Sequence, residues 1–305
     1  MFKNKKILIF GGTGFIGYHL IKRALKYKMN VTSFSRSKPI KSRRIKKIKY
    51  IYGDISVKKN FKILKKDFNY VVNLSGNIDH ARKKEVFKSH FLGVKNISDF
   101  CFKNNVKHFI QMGSSGEYGN AASPHSEKTK CLAKTYYNKT KLMASKYLMK
   151  KYFDSKLNIT ILRPYQVYGP LQSVDRIVPI TITNCLKKKI FYCSEGLQFR
   201  DFLYVKDLVN AIFSTIENKK AFGEVINLGT GKLTQIRYLI NKIRKLIPGG
   251  KPIYGVIPLR KDEPIEIYPT IVKAKKILKW SPIYSLSDGL KKTIKDYKTN
   301  LEGNL

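Results

Sequence analysis

A short apolar run that ends in a cluster of glycines constrains the fold more than any other feature. Residues 6–10, KILIF, are typical of a strand buried on both faces. GGTGFIG follows at 11–17, and residues 19–25 continue as an amphipathic helix. Because glycine has no side chain, backbone N–H groups at the start of such a helix can approach a phosphate closely. This glycine pattern after a first strand therefore predicts a dinucleotide-binding loop rather than a simple tight turn. It consists of Gly11 or Gly12 together with Gly14 and Gly17.

Strand and helix patterns alternate along the rest of the chain, which predicts an α/β fold with a Rossmann, doubly wound parallel sheet and right-handed crossovers. Proline and glycine become more frequent after Pro164 and the segments shorten, which predicts a smaller C-terminal substrate domain. We place the NAD(P)-binding Rossmann domain in 1–165 plus about 205–229, and the smaller domain in about 166–204 and 230–305. Further strands are expected at 30–34, 48–52, 70–74, 108–112, 159–163 and 225–228, and helices around 85–104, 136–152, 232–247 and 285–299.

The composition excludes several classes of protein. Hydrophobic residues make up 43% of the 305 residues, enough for a buried core and too many for a disordered chain. No apolar run approaches the ~18–20 residues that a membrane span needs. The start, MFKNKK, enters the first strand without a signal-peptide core, which predicts a cytoplasmic protein. Cys101, Cys131, Cys185 and Cys193 form no CxxC pair, and no histidine has metal-ligand spacing, so we expect reduced thiols and no metal.

The net charge of +41, from 61 Lys and Arg against 20 Asp and Glu, suggests either a polyanion partner or a lysine-rich surface. Lysine recurs on nearly every expected helix from Lys22 to Lys298, and the densest run, 38–49, follows the end of a strand. A nucleic-acid binder concentrates its charge and interleaves aromatic residues for stacking, and neither pattern is present. We therefore expect no nucleic-acid partner and no membrane partner.

The end of the second expected strand bears on the choice of cofactor. An NAD site usually has an acidic residue here for the ribose 2′-OH, but this chain has Ser35 followed by Arg36. Arg36, with Arg43 and Arg44 nearby, can neutralise a 2′-phosphate, which favours NADP(H) and leaves NAD(H) as the alternative. Asp54, just after the third strand, is well placed for the adenine amino group; the alternative is an aspartate that only forms a turn.

Three residues form a candidate catalytic set. Tyr137 and Lys141 have the YxxxK spacing, which puts both side chains on one face of an expected helix. A tyrosine with an ordinary pKa near 10 is a poor base at neutral pH, and a nearby ammonium together with an oxidised nicotinamide ring favours the phenolate. Lys141 can also hold the nicotinamide ribose. Ser114 follows the fifth strand, at the carboxyl edge where such sheets bind ligands.

Five motifs in order resemble the extended short-chain dehydrogenase/reductases, the NAD(P)-dependent sugar-nucleotide epimerases, dehydratases and reductases. They are GGTGFIG at 11–17, SSGEYG at 114–119, YNKTK at 137–141, LRPYQVYGP at 162–170 and RDFLYVKDL at 200–208, and KAKKILKWSP at 273–282 is also similar. The resemblance implies a Rossmann domain, a smaller sugar-nucleotide domain and a homodimer. It also implies that Ser114, Tyr137 and Lys141 are catalytic, that Tyr165, Gln166 and Val167 lie beside the nicotinamide, and that Arg200 and Arg260 hold the nucleotide diphosphate.

The expected cofactor site combines the loop, the strand ends and the resemblance. Two departures from the family pattern matter: His90 stands where many members have Asn, and Ser115 and Gly116 replace the Asp-Glu pair of 4,6-dehydratases, which argues against dehydration. Ser115, Gly116, Arg200 and Arg260 are the expected substrate residues. The expected cofactor residues are Gly11, Gly14, Phe15, Ile16, Gly17, Ser35, Arg36, Asp54, Ile55, Leu74, Ser75, Gly76, His90, Tyr137, Lys141, Tyr165 and Val167.

The expected reaction is therefore a redox step at C4 of a nucleotide-linked sugar. The pairing of Ser35 with Arg36 favours NADPH, and hence reduction of an NDP-4-keto-6-deoxyhexose in deoxysugar or surface-polysaccharide biosynthesis. The alternative is a 4-epimerase, similar to UDP-glucose 4-epimerase, which retains its cofactor. A non-catalytic NADP-binding or RNA-binding scaffold is a different class, against which the intact set of Ser114, Tyr137 and Lys141 argues.

Overall fold

Seven parallel strands form the main sheet of the computed structural model, which describes residues 2–77, 81–259 and 263–302. The strands in chain order are β1 (Lys6–Phe10), β2 (Asn30–Ser35), β3 (Lys49–Tyr52), β4 (Tyr70–Asn73), β5 (His108–Met112), β6 (Ile159–Pro164), β7 (Gln166–Tyr168), β8 (Ile190–Tyr192), β9 (Phe199–Arg200), β10 (Phe202–Tyr204), β11 (Glu224–Leu228), β12 (Thr234–Gln235), β13 (Lys251–Ile253) and β14 (Glu266–Ile267). The main sheet has the order β3-β2-β1-β4-β5-β6-β11, and every neighbouring pair in it is parallel.

Helices cover both faces of this sheet, so its central strands are buried on both sides. Along β1, Ile7 and Ile9 belong to the hydrophobic cluster on one face of the sheet, whereas Leu8 and Phe10 belong to the cluster on the other face. This double burial explains why the strands are continuous apolar runs. The helices are α1 (Phe15–Lys26), α2 (Lys83–Phe87), α3 (Gly93–Lys103), α4 (Tyr136–Ser155), α5 (Ile177–Leu186), α6 (Val205–Thr215), α7 (Ile236–Leu246), α8 (Val272–Leu278) and α9 (Leu286–Glu302).

From the centre of the sheet, the chain proceeds outward in one direction through β1, β2 and β3, and in the opposite direction through β4, β5 and β6. The strand order therefore reverses between β1 and β4. In open α/β sheets, ligands bind outside the carboxyl ends of the strands at such a reversal. The glycine loop after β1 and residues 74–76 after β4 meet there. The predicted doubly wound Rossmann fold is confirmed, and the seven expected strands agree with the observed ones to within one residue at each end.

A third hydrophobic cluster lies apart from the two that flank the main sheet. It joins α5, α7 and α9 with the short strands after β6, which pair among themselves. The boundaries of the smaller domain stay a prediction. One segment assigned to that domain packs against the main sheet instead. Ala274, Leu278 and Trp280 of the 230–305 region pack into the cluster beside α6, and the Trp280 indole N–H donates to the Asp207 carbonyl over 3.1 Å.

No helix among the described residues is long and apolar enough to cross a membrane. The four cysteines are free thiols. Within the same described ranges, no group of three or more His, Cys, Asp or Glu side chains is arranged to hold a metal ion.

Candidate active site

The glycine loop has the close backbone packing that a phosphate site requires. Gly11 has a φ of +78°, and its carbonyl accepts the Gly14 N–H over 3.1 Å. A Cβ on Gly17 would lie only 2.5 Å from the Gly11 carbonyl oxygen, so a side chain at Gly17 would force the loop and α1 apart. Gly14 is the N-cap of α1 and has no side chain to cap it, which leaves first-turn N–H groups for a phosphate. The loop therefore fits a dinucleotide through Gly11, Gly14 and Gly17.

A cavity of about 230 Å³ continues from this loop along the strand ends. It brings together most of the cofactor residues predicted from sequence: Gly11, Gly14, Ser35, Arg36, Asp54, Ile55, Leu74, Ser75 and Gly76. Phe15 and Ile16 do not line this cavity, and their partly buried side chains pack against the hydrophobic clusters. Glu85, Lys88 and Ser89 also line this cavity and were not predicted.

The polar groups of the cavity beside the ends of β2 and β3 differ from the sequence expectation. Asp54 accepts hydrogen bonds from the Ser56 N–H and hydroxyl, both over 2.7 Å, so it does form a turn as well as line the cavity. Ser35 is buried, and its hydroxyl oxygen accepts the Thr13 N–H over 3.4 Å. Arg36 does not stand alone, because its Nη1 lies 3.8 Å from Oε2 of Glu85.

Ser114 begins a turn of 3₁₀ helix directly after β5, and local hydrogen bonds fix its orientation. Its hydroxyl accepts the Gly116 N–H over 3.1 Å, and its own backbone N–H donates to Oε1 of Glu117 over 2.9 Å. These two bonds form a capping box around the turn. The serine side chain is thereby held at the carboxyl edge of the sheet, as the sequence predicts.

Tyr137 and Lys141 lie on α4 and face the same edge. The Lys141 ammonium donates to the Met112 carbonyl over 3.1 Å, and burial lowers the pKa of this lysine to about 8. Burial also raises the pKa of Tyr137, and a hydrogen bond with Ser114 offsets this only in part. The expectation that Lys141 together with an oxidised nicotinamide favours the phenolate stays a prediction; in the protein without the nicotinamide, desolvation of the phenolate dominates. A pKa of Tyr137 below its ordinary value therefore requires the additional positive charge of an oxidised nicotinamide.

His90 reaches this site from a single π-helical turn, Lys88–Leu92, between α2 and α3. Its ring meets the Tyr137 ring edge-on, with centroids 4.8 Å apart and planes at 86°. Its Nδ1 lies 3.1 Å from the Thr140 hydroxyl, which donates to the Tyr137 carbonyl. Single π turns inside α-helices are frequent at functional sites. The histidine thus packs against the tyrosine and its helix.

A buried ion pair behind Ser114 was missed at the sequence level. Both Glu117 and Arg163 are almost completely buried, and Oε2 of Glu117 accepts from Arg163 Nε over 2.9 Å and Nη2 over 2.7 Å. The guanidinium also lies over the Tyr118 ring, 4.8 Å from its centroid. Because the other oxygen of Glu117 binds the Ser114 N–H, this pair connects β6 to the serine turn.

A second cavity, of about 580 Å³, opens beside the serine turn and contains the expected substrate residues Ser115, Gly116 and Arg200. Ser114, Tyr165 and Gln166 line it too, whereas Val167 is partly buried among hydrophobic side chains. Arg200 is buried and paired: its Nη2 lies 2.5 Å from Oε1 of Glu263, which also lines this cavity. Arg260, the other expected diphosphate ligand, lies outside the described residues.

The pKa of Lys141 leads to a stability prediction. A lysine with a pKa of about 8 in the folded chain and 10.5 when unfolded binds its proton less tightly in the native state. The unfolded chain therefore holds more protons between these values, and stability rises with pH. From pH 8 to pH 10, the free energy of unfolding of the wild type should rise by about 2 kcal/mol relative to Lys141→Met.

Urea unfolding at each pH measures this difference, with Lys139→Met, an exposed neighbour on the same helix, as the control. If the free energy of unfolding changes equally with pH in the wild type and in Lys141→Met, burial of the Lys141 ammonium does not destabilise the fold and the prediction is wrong.

Comparison with known proteins agrees with this geometry. Residues 7–229 match the NAD dependent epimerase/dehydratase family, and the chain belongs to that family. It is 27% identical over 307 residues to an uncharacterised UDP-glucose epimerase of Bacillus subtilis, covering 93% of this chain and 95% of that protein. The family resemblance, the fold and the assignment as an enzyme are confirmed: the chain is an NAD(P)-dependent enzyme of the sugar-nucleotide epimerase, dehydratase and reductase class.

Two solved structures are similar over nearly the whole chain. A UDP-glucose 4-epimerase of Thermotoga maritima with UDP-glucose has a TM-score of 0.90 and 26% identity, covering 97% of this chain and 99% of that one. A UDP-glucuronic acid 4-epimerase from Bacillus cereus, in complex with UDP-glucuronic acid and NAD, has a TM-score of 0.87 and 25% identity with the same coverage.

Proposed function

We propose that this enzyme is an NAD-dependent 4-epimerase of a nucleotide-linked sugar. The arrangement of Ser114, Tyr137 and Lys141 between two cavities carries the proposal. Lys141 Nζ lies 3.6 Å from where a Cβ of Gly76 would stand, and Gly76 lines the cofactor cavity. Ser114 lines the substrate cavity, and Tyr137, which is hydrogen-bonded to it, lies between. A sugar carbon and a nicotinamide ring can therefore meet beside the tyrosine.

Each of these side chains has a distinct task in the proposed reaction. Tyr137 takes the proton from the sugar C4 oxygen and later returns it, while Ser114 donates a hydrogen bond to the same oxygen. Lys141 binds the nicotinamide ribose and, as a nearby cation, favours the phenolate. An NAD held in the cofactor cavity would supply the hydride acceptor and donor for this chemistry. Ser115 and Gly116 carry no acid or base, so elimination of water has no proton carrier at these positions.

The 4-ketoreductase favoured by the sequence is the second candidate, and its main support is the pairing of Ser35 with Arg36. That support is weaker than the sequence suggests, because Arg36 faces Glu85. Epimerase names are frequent among the relatives, and the Bacillus cereus enzyme holds NAD, which favours the epimerase and NAD over NADP. The homodimer, the cytoplasmic location and the part in polysaccharide biosynthesis stay predictions from the resemblance and the sequence.

The cofactor balance separates the two candidates. A 4-epimerase recycles its nicotinamide, so the purified protein should release bound NAD on denaturation and should interconvert two 4-hydroxy sugars without net oxidation of cofactor. The measurement combines analysis of the released nucleotide with product identification from a panel of UDP-, dTDP-, CDP- and GDP-sugars. Consumption of one NADPH per sugar converted would instead establish the reductase and overturn the proposal.

A further inference from the structure

An acidic side chain enters the cofactor cavity from an element that the sequence pattern does not associate with the ribose. Glu85 lies on α2, after β4, and lines the same cavity as Ser35 and Arg36 at the end of β2. Its Oε2 lies 3.8 Å from Arg36 Nη1, and its Oε1 lies 3.2 Å from Lys88 Nζ. The carboxylate is therefore held between two cations at the ribose end of the cavity.

The position of Glu85 would supply the acidic hydrogen-bond acceptor that the end of β2 lacks. An adenosine ribose with a free 2′-OH presents a donor, and NAD sites usually place a carboxylate beside it. Ser35 is neutral here. Of the carboxylates that line the cavity among the described residues, Asp54 accepts two bonds within its own turn through Oδ1. Glu85 is the carboxylate that lies beside Arg36.

The same position opposes the phosphate of NADP. A 2′-phosphate at this place would bring up to two negative charges next to Glu85. It would also have to compete with the carboxylate for Arg36 and Lys88. We propose that Glu85 selects NAD(H) over NADP(H): its carboxylate accepts a hydrogen bond from the adenosine ribose and, by holding Arg36 and Lys88, disfavours a 2′-phosphate. This assignment rests on the proposed NAD-dependent function and names the residue behind its cofactor choice.

Direct binding of cofactors tests the assignment without any sugar. The protein, stripped of bound nucleotide, is titrated with NAD⁺ and with NADP⁺ at one ionic strength, and the ratio of the two dissociation constants is compared between variants. The wild type should prefer NAD⁺, and Glu85→Gln should reduce that preference at least tenfold. Adding Arg36→Ala to Glu85→Gln should remove the gain in NADP⁺ affinity, because the freed guanidinium is then absent.

Glu224→Gln is the matched control. Glu224 is also an ion-paired glutamate with a 35% exposed side chain, but its partner is Lys273 and it does not line the cavity. It should leave the ratio unchanged. A ratio that Glu85→Gln moves by less than twofold, or a wild type that prefers NADP⁺, would overturn the assignment of Glu85. Failure of the wild type to bind either dinucleotide would overturn the proposed function and this assignment with it.

Discussion

Tyr137→Phe is expected to lower turnover about 10³-fold and to leave cofactor binding intact, because a positioned acid or base is worth roughly 10²–10⁴ in rate. Phenylalanine keeps the ring that packs edge-on against His90, so the site should retain its shape. What is lost is the hydroxyl to which the proposed function assigns the proton exchange with the sugar. The rate with the best sugar nucleotide and the dissociation constant for NAD⁺ are the two measurements.

The helix itself provides a control. Tyr136 directly precedes Tyr137 and is 38% exposed, so Tyr136→Phe removes the same atom from the neighbouring position and should retain turnover. Ser114→Ala should cost about 10²-fold, less than the tyrosine, because it removes one hydrogen-bond donor to the reacting oxygen. Full activity of Tyr137→Phe would refute the acid-base role assigned to Tyr137.

Glu117→Ala is expected to destabilise the fold by about 3–5 kcal/mol, because it leaves the buried Arg163 guanidinium without its counterion. It also removes the acceptor of the Ser114 N–H. Urea unfolding measures the loss. Glu195→Ala is the control, since Glu195 forms an exposed pair with Arg237 over 2.7 Å, and such pairs contribute about 0–1 kcal/mol.

A double variant distinguishes the unpaired charge from a general packing defect. Replacing Glu117 with leucine and Arg163 with methionine removes both charges and keeps most of the volume. It should recover much of the stability lost in Glu117→Ala, because apolar residues often replace buried ion pairs at little cost. A loss below about 1 kcal/mol in Glu117→Ala would mean that the pair contributes no more than a surface contact.

The fold was predictable because the central strands of the main sheet are buried on both faces. That burial favours apolar residues on both sides of a strand, so β1 is a continuous apolar run whose ends are easily located in the sequence. The glycine loop was predictable for a related reason, since close backbone contacts such as that of Gly17 with Gly11 admit no other residue without displacement.

The partners of charged residues were not predictable, because they come from distant parts of the chain. Arg36 meets Glu85 from another strand's crossover, Arg163 meets Glu117 across 46 positions, and Arg200 meets Glu263. A sequence does not show which charges meet in the folded chain, so Arg36 was interpreted as a phosphate ligand without its neighbour Glu85. The burial that raises the pKa of Tyr137 is likewise not visible in the sequence, although the spacing of this residue to Lys141 is.

The ion pair between Arg200 and Glu263 has a thermodynamic consequence for the proposed substrate. If Arg200 binds the diphosphate, the incoming anion replaces a carboxylate rather than water. The gain in affinity is then the difference in free energy between the ion pair of Arg200 with the diphosphate and its ion pair with Glu263. When the product dissociates, Glu263 can pair with Arg200 again. Such an internal competitor would limit how tightly substrate and product are held and would speed dissociation, which suits the proposed 4-epimerase, whose two sugars differ at one carbon and exchange in both directions.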